Sequence, residues 1–286
     1  MPPLLGIITG MEAEAAALGQ WREDSRIEVA ISAGRPNRAA AETERLVERG
    51  ASALLSWGIA GGLDPRFLPG DLLVADGVVE PGGRPFAFDE GLIAAIREAF
   101  QNIPGQSTGL HSRPERDPRR GNTPAVSVPR TKASAPPAEL AQLANLCLLA
   151  GSEIVVCQPA AKAALHQRNA AAAVDMETHR VAAIARKAGL PAIAIRAISD
   201  PASRSLPALV AHALDEEGRP RIGAVLRGLA ARPFDLPALI RAGHDSRKAL
   251  GALSTAAALV IPVVLATLSD RNEAGTPAAG RDQPDI

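Results

Sequence analysis

AVDMETHRVAAIARKAGLPAIAIRAISD, residues 173–200, reads as strand, helix, strand, with an acid closing each strand. The apolar run Ala171–Val174 leads into Asp175-Met176-Glu177. Thr178–Lys187 then places Val181, Ile184 and Ala185 at i, i+3, i+4, the spacing of a buried helical face. Gly189 stops that helix, and Pro191 opens the β-branched run Ala192–Ile198, which ends on Ser199-Asp200. Glu177 thus sits at the head of a helix and Asp200 at a strand end. Strand ends are where α/β folds gather their chemistry, and two acids delivered to one cleft suit the cleavage of a sugar bond.

Outward from this stretch, strand-like and helix-like segments alternate, which predicts a single α/β domain with a central mixed sheet flanked by helices. Strands are expected at Leu4–Thr9, Ile27–Ser32, Ala53–Trp57, Leu72–Val79 and Ile154–Cys157, besides 171–174 and 192–198. Helices are expected at Glu12–Trp21, Asn37–Arg49, Glu90–Phe100, Ala160–Gln167, Thr178–Lys187 and Leu206–Leu214. Residues 1–248 form the expected domain. Within it, 101–137 carries seven prolines among Arg, Ser and Gly, with no apolar period, and reads as a disordered insert. Its arginines leave a lid or a membrane-touching loop as the other reading. Ala249–Ser269 holds no charged residue and is about long enough to cross a bilayer, for which roughly 20 apolar residues are needed. Pro262 and its small polar residues favour a buried or oligomer-facing helix broken at that proline. Residues 270–286 read as a polar tail.

Composition narrows the function. Thirty-one basic residues balance 31 acidic ones and aromatics make up 2%, so neither a basic field nor an aromatic platform for nucleic acid is present. Cys147 and Cys157 lie in apolar runs and read as reduced thiols, and no metal-ligand spacing surrounds them or the five histidines. The N-terminus lacks a basic start and an apolar signal core, which points to a cytoplasmic protein.

The Met-Glu pair followed by Arg196-Ala197-Ile198-Ser199-Asp200 resembles the purine nucleoside phosphorylase and nucleosidase superfamily. Leu4–Glu14 is similar to the opening strand and turn of its methylthioadenosine and adenosylhomocysteine nucleosidases. Ser56–Leu63 with Pro69–Val74 is similar to their glycine turn and following strand. Val174–His179, Ser199–Ala202 and the tail from Gly218 to Ile240 are closer to the hopanoid-associated branch, thought to remove adenine from adenosylhopane. The superfamily likeness spans roughly residues 3–100 and 146–215. It implies a sheet partly closed into a barrel, no cofactor or metal, and phosphate as one candidate co-substrate. It also implies a homo-oligomer acting on a small or lipid-linked nucleoside, with peripheral membrane contact if the substrate is a lipid.

The resemblance gives the residues roles. Asp200 is the candidate acid that protonates the departing base, with Ser199 orienting it; the competing reading is a cap for the segment after Pro201. Glu177 is the candidate clamp on the 2′- and 3′-hydroxyls, and Met176 packs on the ribose unless it only fills the core. Glu14 is the candidate base for an attacking water, with Glu12 as its competitor and a solvated first-turn residue the fate of the other. Arg196 holds water, phosphate or a carboxylate, or else is a structural ion pair. Asp175 reads as a helix cap. Ala60 and Gly61 match base- and ribose-facing positions. Two departures stand out: Ile59 replaces a hydroxyl residue, and Gly151-Ser152-Glu153-Ile154-Val155 lacks the aromatic that stacks on the purine in small-thioether nucleosidases.

Three functions compete. The first is release of adenine from adenosylhopane by water or phosphate. The second is a methylthioadenosine or adenosylhomocysteine nucleosidase, or a purine nucleoside phosphorylase. The third is a non-catalytic nucleoside-binding protein on the same fold.

Overall fold

The computed structural model describes residues 2–102, 146–207, 215–219 and 221–275. Their eight strands form one sheet: β1 (Leu4–Thr9), β2 (Ile27–Ile31), β3 (Ala51–Gly62), β4 (Leu72–Val79), β5 (Pro85–Ala87), β6 (Leu146–Gly151), β7 (Ala173–Asp175) and β8 (Ala192–Asp200). The order β2-β1-β3-β7-β6-β4-β5 is closed by β8, which pairs with both β3 and β4. Strands β3, β8, β4, β6 and β7 therefore make a ring, with β2-β1 and β5 as flaps. This is the partly barrelled mixed sheet expected. Pairing is parallel in β1/β2, β1/β3, β3/β8, β4/β6 and β6/β7, and antiparallel in β3/β7, β4/β8 and β4/β5.

The strands at the centre are apolar on both faces, as a sheet covered on both sides requires. β8 is buried over eight of its nine positions, and Leu54, Leu55, Trp57, Ile193 and Ile195 are wholly inaccessible. Helices α1 (Glu12–Ala16), α2 (Pro36–Glu48), α3 (Glu90–Gln101), α4 (Pro159–Asn169), α5 (Thr178–Ala188), α6 (Ile222–Ala231) and α7 (Leu236–Glu273) surround it.

Several sequence expectations change. The glycine run Gly58–Gly62 is no turn but the end of a twelve-residue strand, β3, that continues past Trp57. Ile154–Cys157 is irregular rather than a strand: Ser152 Oγ bonds both Ile154 O and Ile154 N, at 2.7 and 3.3 Å, and the sheet position falls to Leu146–Gly151. The expected helix Glu12–Trp21 stops at Ala16, and a 3₁₀ turn follows from Gly19, whose φ of 59° no L side chain adopts cheaply. Gly189 (φ 64°) ends α5 as expected. Leu206 and Pro207 are not helical, and the rest of the helix expected to 214, the bulk of the insert and the residues after 275 lie outside the described residues.

The uncharged segment 249–269 belongs to α7, which crosses the expected boundary at 248 and passes Pro262 unbroken. Ala249, Leu253, Ala256, Val260, Val264 and Leu268 line its buried stripe at helical spacing. That stripe packs on α3 and β8, and Arg271 locks the far end to Asp89 at 2.6 Å. Proline survives here because packing of the flanking turns outweighs the roughly 3 kcal/mol it costs a helix. The helix is apolar enough to cross a bilayer, yet half of its most apolar window is buried inside the protein.

Candidate active site

Thr9 ends β1, and the backbone turns through Gly10 and Met11 into α1. This turn brings the Glu14 side chain back onto its own start. Glu14 Oε2 accepts from Gly10 N at 2.7 Å and Met11 N at 2.8 Å, while Oε1 accepts from Ile59 N on β3 at 2.8 Å. Burial pushes its pKa up; the three amides and the nearby Arg196 charge oppose this without cancelling it. Glu12, in contrast, pairs with Arg22 at 2.6 Å on the surface. That contrast separates the two competitors.

Glu177, at the head of α5, meets Glu14 at the same turn. A Cβ on Gly10 would lie 3.0 Å from Glu177 Oε1 and 3.2 Å from Glu14 Oε2. Glu177 has one side-chain partner, the Ser32 hydroxyl, which donates at 3.2 Å. Its pKa is pushed up to about 8, first by burial and then by the Asp175 and Glu14 charges, against the pull of Arg196 and Ser32. Met176 is half-buried between two buried acids.

Asp200 ends β8. The register between β3 and β8 shifts after Ala60, leaving Ser199 as an extra residue; such a bulge re-aims the side chain that follows. The Ser199 hydroxyl lies 2.7 Å from Asp200 Oδ1 and 3.1 Å from Ala60 O. The other oxygen, Oδ2, is in direct contact with Lys162 Nζ, and lies where a Cβ on Gly61 would sit at 3.4 Å. Lys162 is wholly buried and also donates to Pro201 O at 3.0 Å and Arg204 O at 3.2 Å.

Lys162 is the site residue that sequence reasoning missed. Its signal was slight: it is the sole charge in Pro159–Leu165 of α4. The structure sets this cation against the candidate acid Asp200.

The glycines of β3 are required by close approach. A Cβ on Gly58 would stand 2.7 Å from Glu14 Oε1, and one on Gly62 3.1 Å from Asp200 O. Gly58 and Gly61 are three residues apart, roughly 10 Å of strand. Ala60 is buried and Gly61 partly accessible.

Arg196 lies behind this surface. Its Nε donates to Asp175 Oδ2 at 2.6 Å, Nη2 to Ser56 Oγ at 2.7 Å and Thr178 Oγ1 at 2.8 Å, and Nη1 to Ile195 O at 3.0 Å. Asp175 also accepts from Thr178 N at 3.3 Å, but the N-cap position of α5 falls to Glu177, so Asp175, expected as the cap, serves the first turn from two residues further back and binds Arg196 besides. His179 turns away to Glu153, 2.9 Å from Nε2. Arg35 is exposed and faces Glu216 at 3.8 Å. Cys147 is a buried thiol pushed up to about 12, and both cysteines are unpaired. Among the described residues no cluster of three or more His, Cys, Asp or Glu side chains is arranged to hold a metal.

A partly closed mixed sheet with buried acids at its strand ends defines an enzyme of nucleoside chemistry. The sequence profile of the Phosphorylase superfamily matches residues 29–232, and the chain belongs to that superfamily. It is an N-ribosyl hydrolase or a nucleoside phosphorylase, cleaving the N-glycosidic bond of a nucleoside. Similar solved structures include the futalosine hydrolase of Helicobacter pylori strain 26695, at 16% identity and TM-score 0.60 over 92% of this chain and 98% of that one. A 5′-methylthioadenosine/S-adenosylhomocysteine nucleosidase from Neisseria meningitidis, in complex with methylthio-immucillin-A, gives 17% identity and TM-score 0.60 over 90% and 98%. The corresponding Colwellia psychrerythraea 34H nucleosidase with adenine gives 16% and 0.58 over 94% and 96%. No curated protein matches the chain in sequence.

Proposed function

We propose that the protein hydrolyses the N-ribosidic bond of an adenine nucleoside with a bulky apolar 5′ substituent, adenosylhopane, releasing adenine during hopanoid side-chain synthesis. The observation that carries a ribosidic reaction is the placement of three acids along one strand. Glu14 and Glu177 crowd Gly10 at the level of Gly58, and Asp200 stands at Gly61. A sugar and its attacking water occupy the first level, the base the second.

Glu14 takes a proton from water as the oxygen adds to C1′; burial raises its pKa and makes it a stronger base than a solvated carboxylate. The C1′–N9 bond breaks with its electron pair going to the base. The Lys162 ammonium gives its proton to Asp200 Oδ2 as Asp200, hydrogen-bonded by Ser199, passes one proton to N7 of the base, leaving Lys162 neutral. Glu177 accepts from the ribose hydroxyls and offsets the positive charge growing on the sugar. Met176, Ala60 and Gly61 form apolar and backbone walls of the pocket. Arg196 acts from behind, through its charge on Glu14 and Glu177.

Water is favoured over phosphate because Arg196 is engaged with Asp175, Ser56 and Thr178, and exposed Arg35 faces Glu216 at the surface. The adenosylhopane assignment rests on the resemblance of Val174–His179, Ser199–Ala202 and the tail to Ile240, and on Ile154 and Val155 where a stacking aromatic is missing. Ile154 is 72% exposed. The test is incubation with adenosylhopane with and without phosphate, following free adenine by chromatography. Adenine release independent of phosphate is expected; no release, or release only with phosphate, overturns this reading.

The likeness to nucleosidases solved with methylthio-immucillin-A and adenine favours a second reading, a nucleosidase for small 5′-thioethers. Efficient turnover of methylthioadenosine supports it. An Asp200→Asn variant that matches the wild type in cellular function would instead support a binding protein.

A further inference from the structure

Five large hydrophobic side chains are exposed among the described residues, and three fall within seven positions: Phe234 at 95%, Leu236 at 43% and Ile240 at 63%. They form the corner where the 3₁₀ turn Pro233–Asp235 joins α6 to α7. Leu236 and Ile240 are one helical turn apart on α7 and so share a face, with Phe234 at its tip. Within 221–248 six basic residues face two acidic ones, although the chain as a whole is neutral. Arg227, Arg232 and Arg241 are exposed around the corner. Of the two acids, Asp245 is buried and in contact with Arg204, leaving Asp235 as the acid at the corner.

An almost fully exposed phenylalanine is costly in water, and here exposed arginines lie on the chain to either side of it. It fits a surface that is apolar below and negative above. We propose that this corner docks on the face of an anionic lipid bilayer, Phe234, Leu236 and Ile240 entering the headgroup boundary while the arginines meet lipid phosphates. The chain reaches the corner from the candidate site by way of α6. The turn Asp215–Gly218 lies on the β1–α1 turn, Gly218 O accepting from Glu12 N at 3.3 Å, and a Cβ on Gly218 would sit 3.2 Å from Gly10 O. The ten residues of α6, roughly 15 Å of helix, then end at the corner. The proposal does not depend on which nucleoside is cleaved.

Sedimentation of the full chain with vesicles, no nucleoside present, tests it. We expect binding to phosphatidylcholine vesicles containing phosphatidylglycerol, little binding to phosphatidylcholine alone, and loss of binding in 0.5 M salt, the concentration chosen to shrink screening below roughly 5 Å. Phe234→Asp abolishes binding, and Arg232→Gln or Arg241→Gln each weakens it about fivefold. Circular dichroism confirms that the variants fold. No binding to the anionic vesicles, or equal binding by Phe234→Asp and wild type, overturns the proposal. So does light scattering that shows Phe234→Asp splitting an oligomer, since the corner is then an interface between copies. Failure here leaves adenine release untouched, so the two readings fail separately.

Discussion

Glu177 offers the most direct test of the site, because its environment penalises the charge that its proposed role demands. The folded pKa is pushed up to about 8 from an ordinary value of 4.5 by burial beside Asp175 and Glu14. A carboxyl whose folded pKa is raised contributes stability that is complete below its unfolded pKa and lost as pH rises through the folded one. Between the two values the slope is about 1.4 kcal/mol per pH unit. From pH 4.5 to 7 this amounts to about 3 kcal/mol, approaching about 5 kcal/mol by pH 9. Glu177→Gln keeps the shape and removes the titration. The variant therefore gains on the wild type steadily from pH 5 to 9. Urea unfolding at a series of pH values, read by the fluorescence of Trp57 inside β3, measures the gap. In thermal unfolding the pH 7 difference corresponds to roughly 6–12 °C. Activity is lost in the same variant. If the two profiles run parallel within about 1 kcal/mol, Glu177 is not a charge-strained group and the electrostatic account fails.

Three further outcomes follow from the same geometry. Gly58→Ala forces Glu14 off its three amides, because the new Cβ would stand 2.7 Å from Oε1; kcat should fall about 100-fold with KM little changed, as a displacement near 1 Å costs that much. Ribose binding at pH 7 should release up to one proton as Glu177 ionises to accept two hydroxyls, visible as a calorimetric enthalpy that varies with buffer; no variation counts against the clamp role. Lys162→Met should lower adenine release about 10²–10⁴-fold, the usual worth of a general acid, yet spare a nitrophenyl riboside whose leaving group needs no proton. Equal loss on both substrates would mean that Lys162 only holds the fold.

Much of this was legible in the chain. Helical spacing and Gly189 marked α5, and the β-branched run marked β8, because both elements bury a continuous apolar face that composition alone reveals. The structure also brings Glu14 and Glu177 together at Gly10 and sets Asp200 beside Gly61 of β3. What was hidden depends on partners distant in sequence. Glycines at 58, 61 and 62 look like a turn, but their missing side chains make room for Glu14 and Asp200, which arrive from elsewhere. Pro262 looks like a break, but tertiary packing of α7 overrides the local penalty. Lys162 looks like any helix-surface lysine until α4 is laid over the end of β8.

The arrangement of charges explains why these residues work as a set. Among the described residues, four carboxyls are buried around the site, Glu14, Asp175, Glu177 and Asp200, but two cations, Lys162 and Arg196. Lys162 serves Asp200, and Arg196 serves Asp175, with its residual field reaching the other two. Glu14 and Glu177 share one small volume without a cation in contact, which is why burial raises both. The antiparallel run of β7 against β3 returns Glu177 to the Gly58 level while parallel β8 leaves Asp200 near Gly61. In the proposed mechanism the uncompensated pair therefore surrounds the sugar, not the base. A ribosyl ring gaining positive charge as its bond to the base breaks supplies the cation that this volume lacks. Stabilisation is then greatest where that charge is greatest, so the site favours the transition state over the neutral nucleoside. A second permanent arginine at this place would relieve the strain in the empty protein and, by the same measure, remove the differential that drives the reaction.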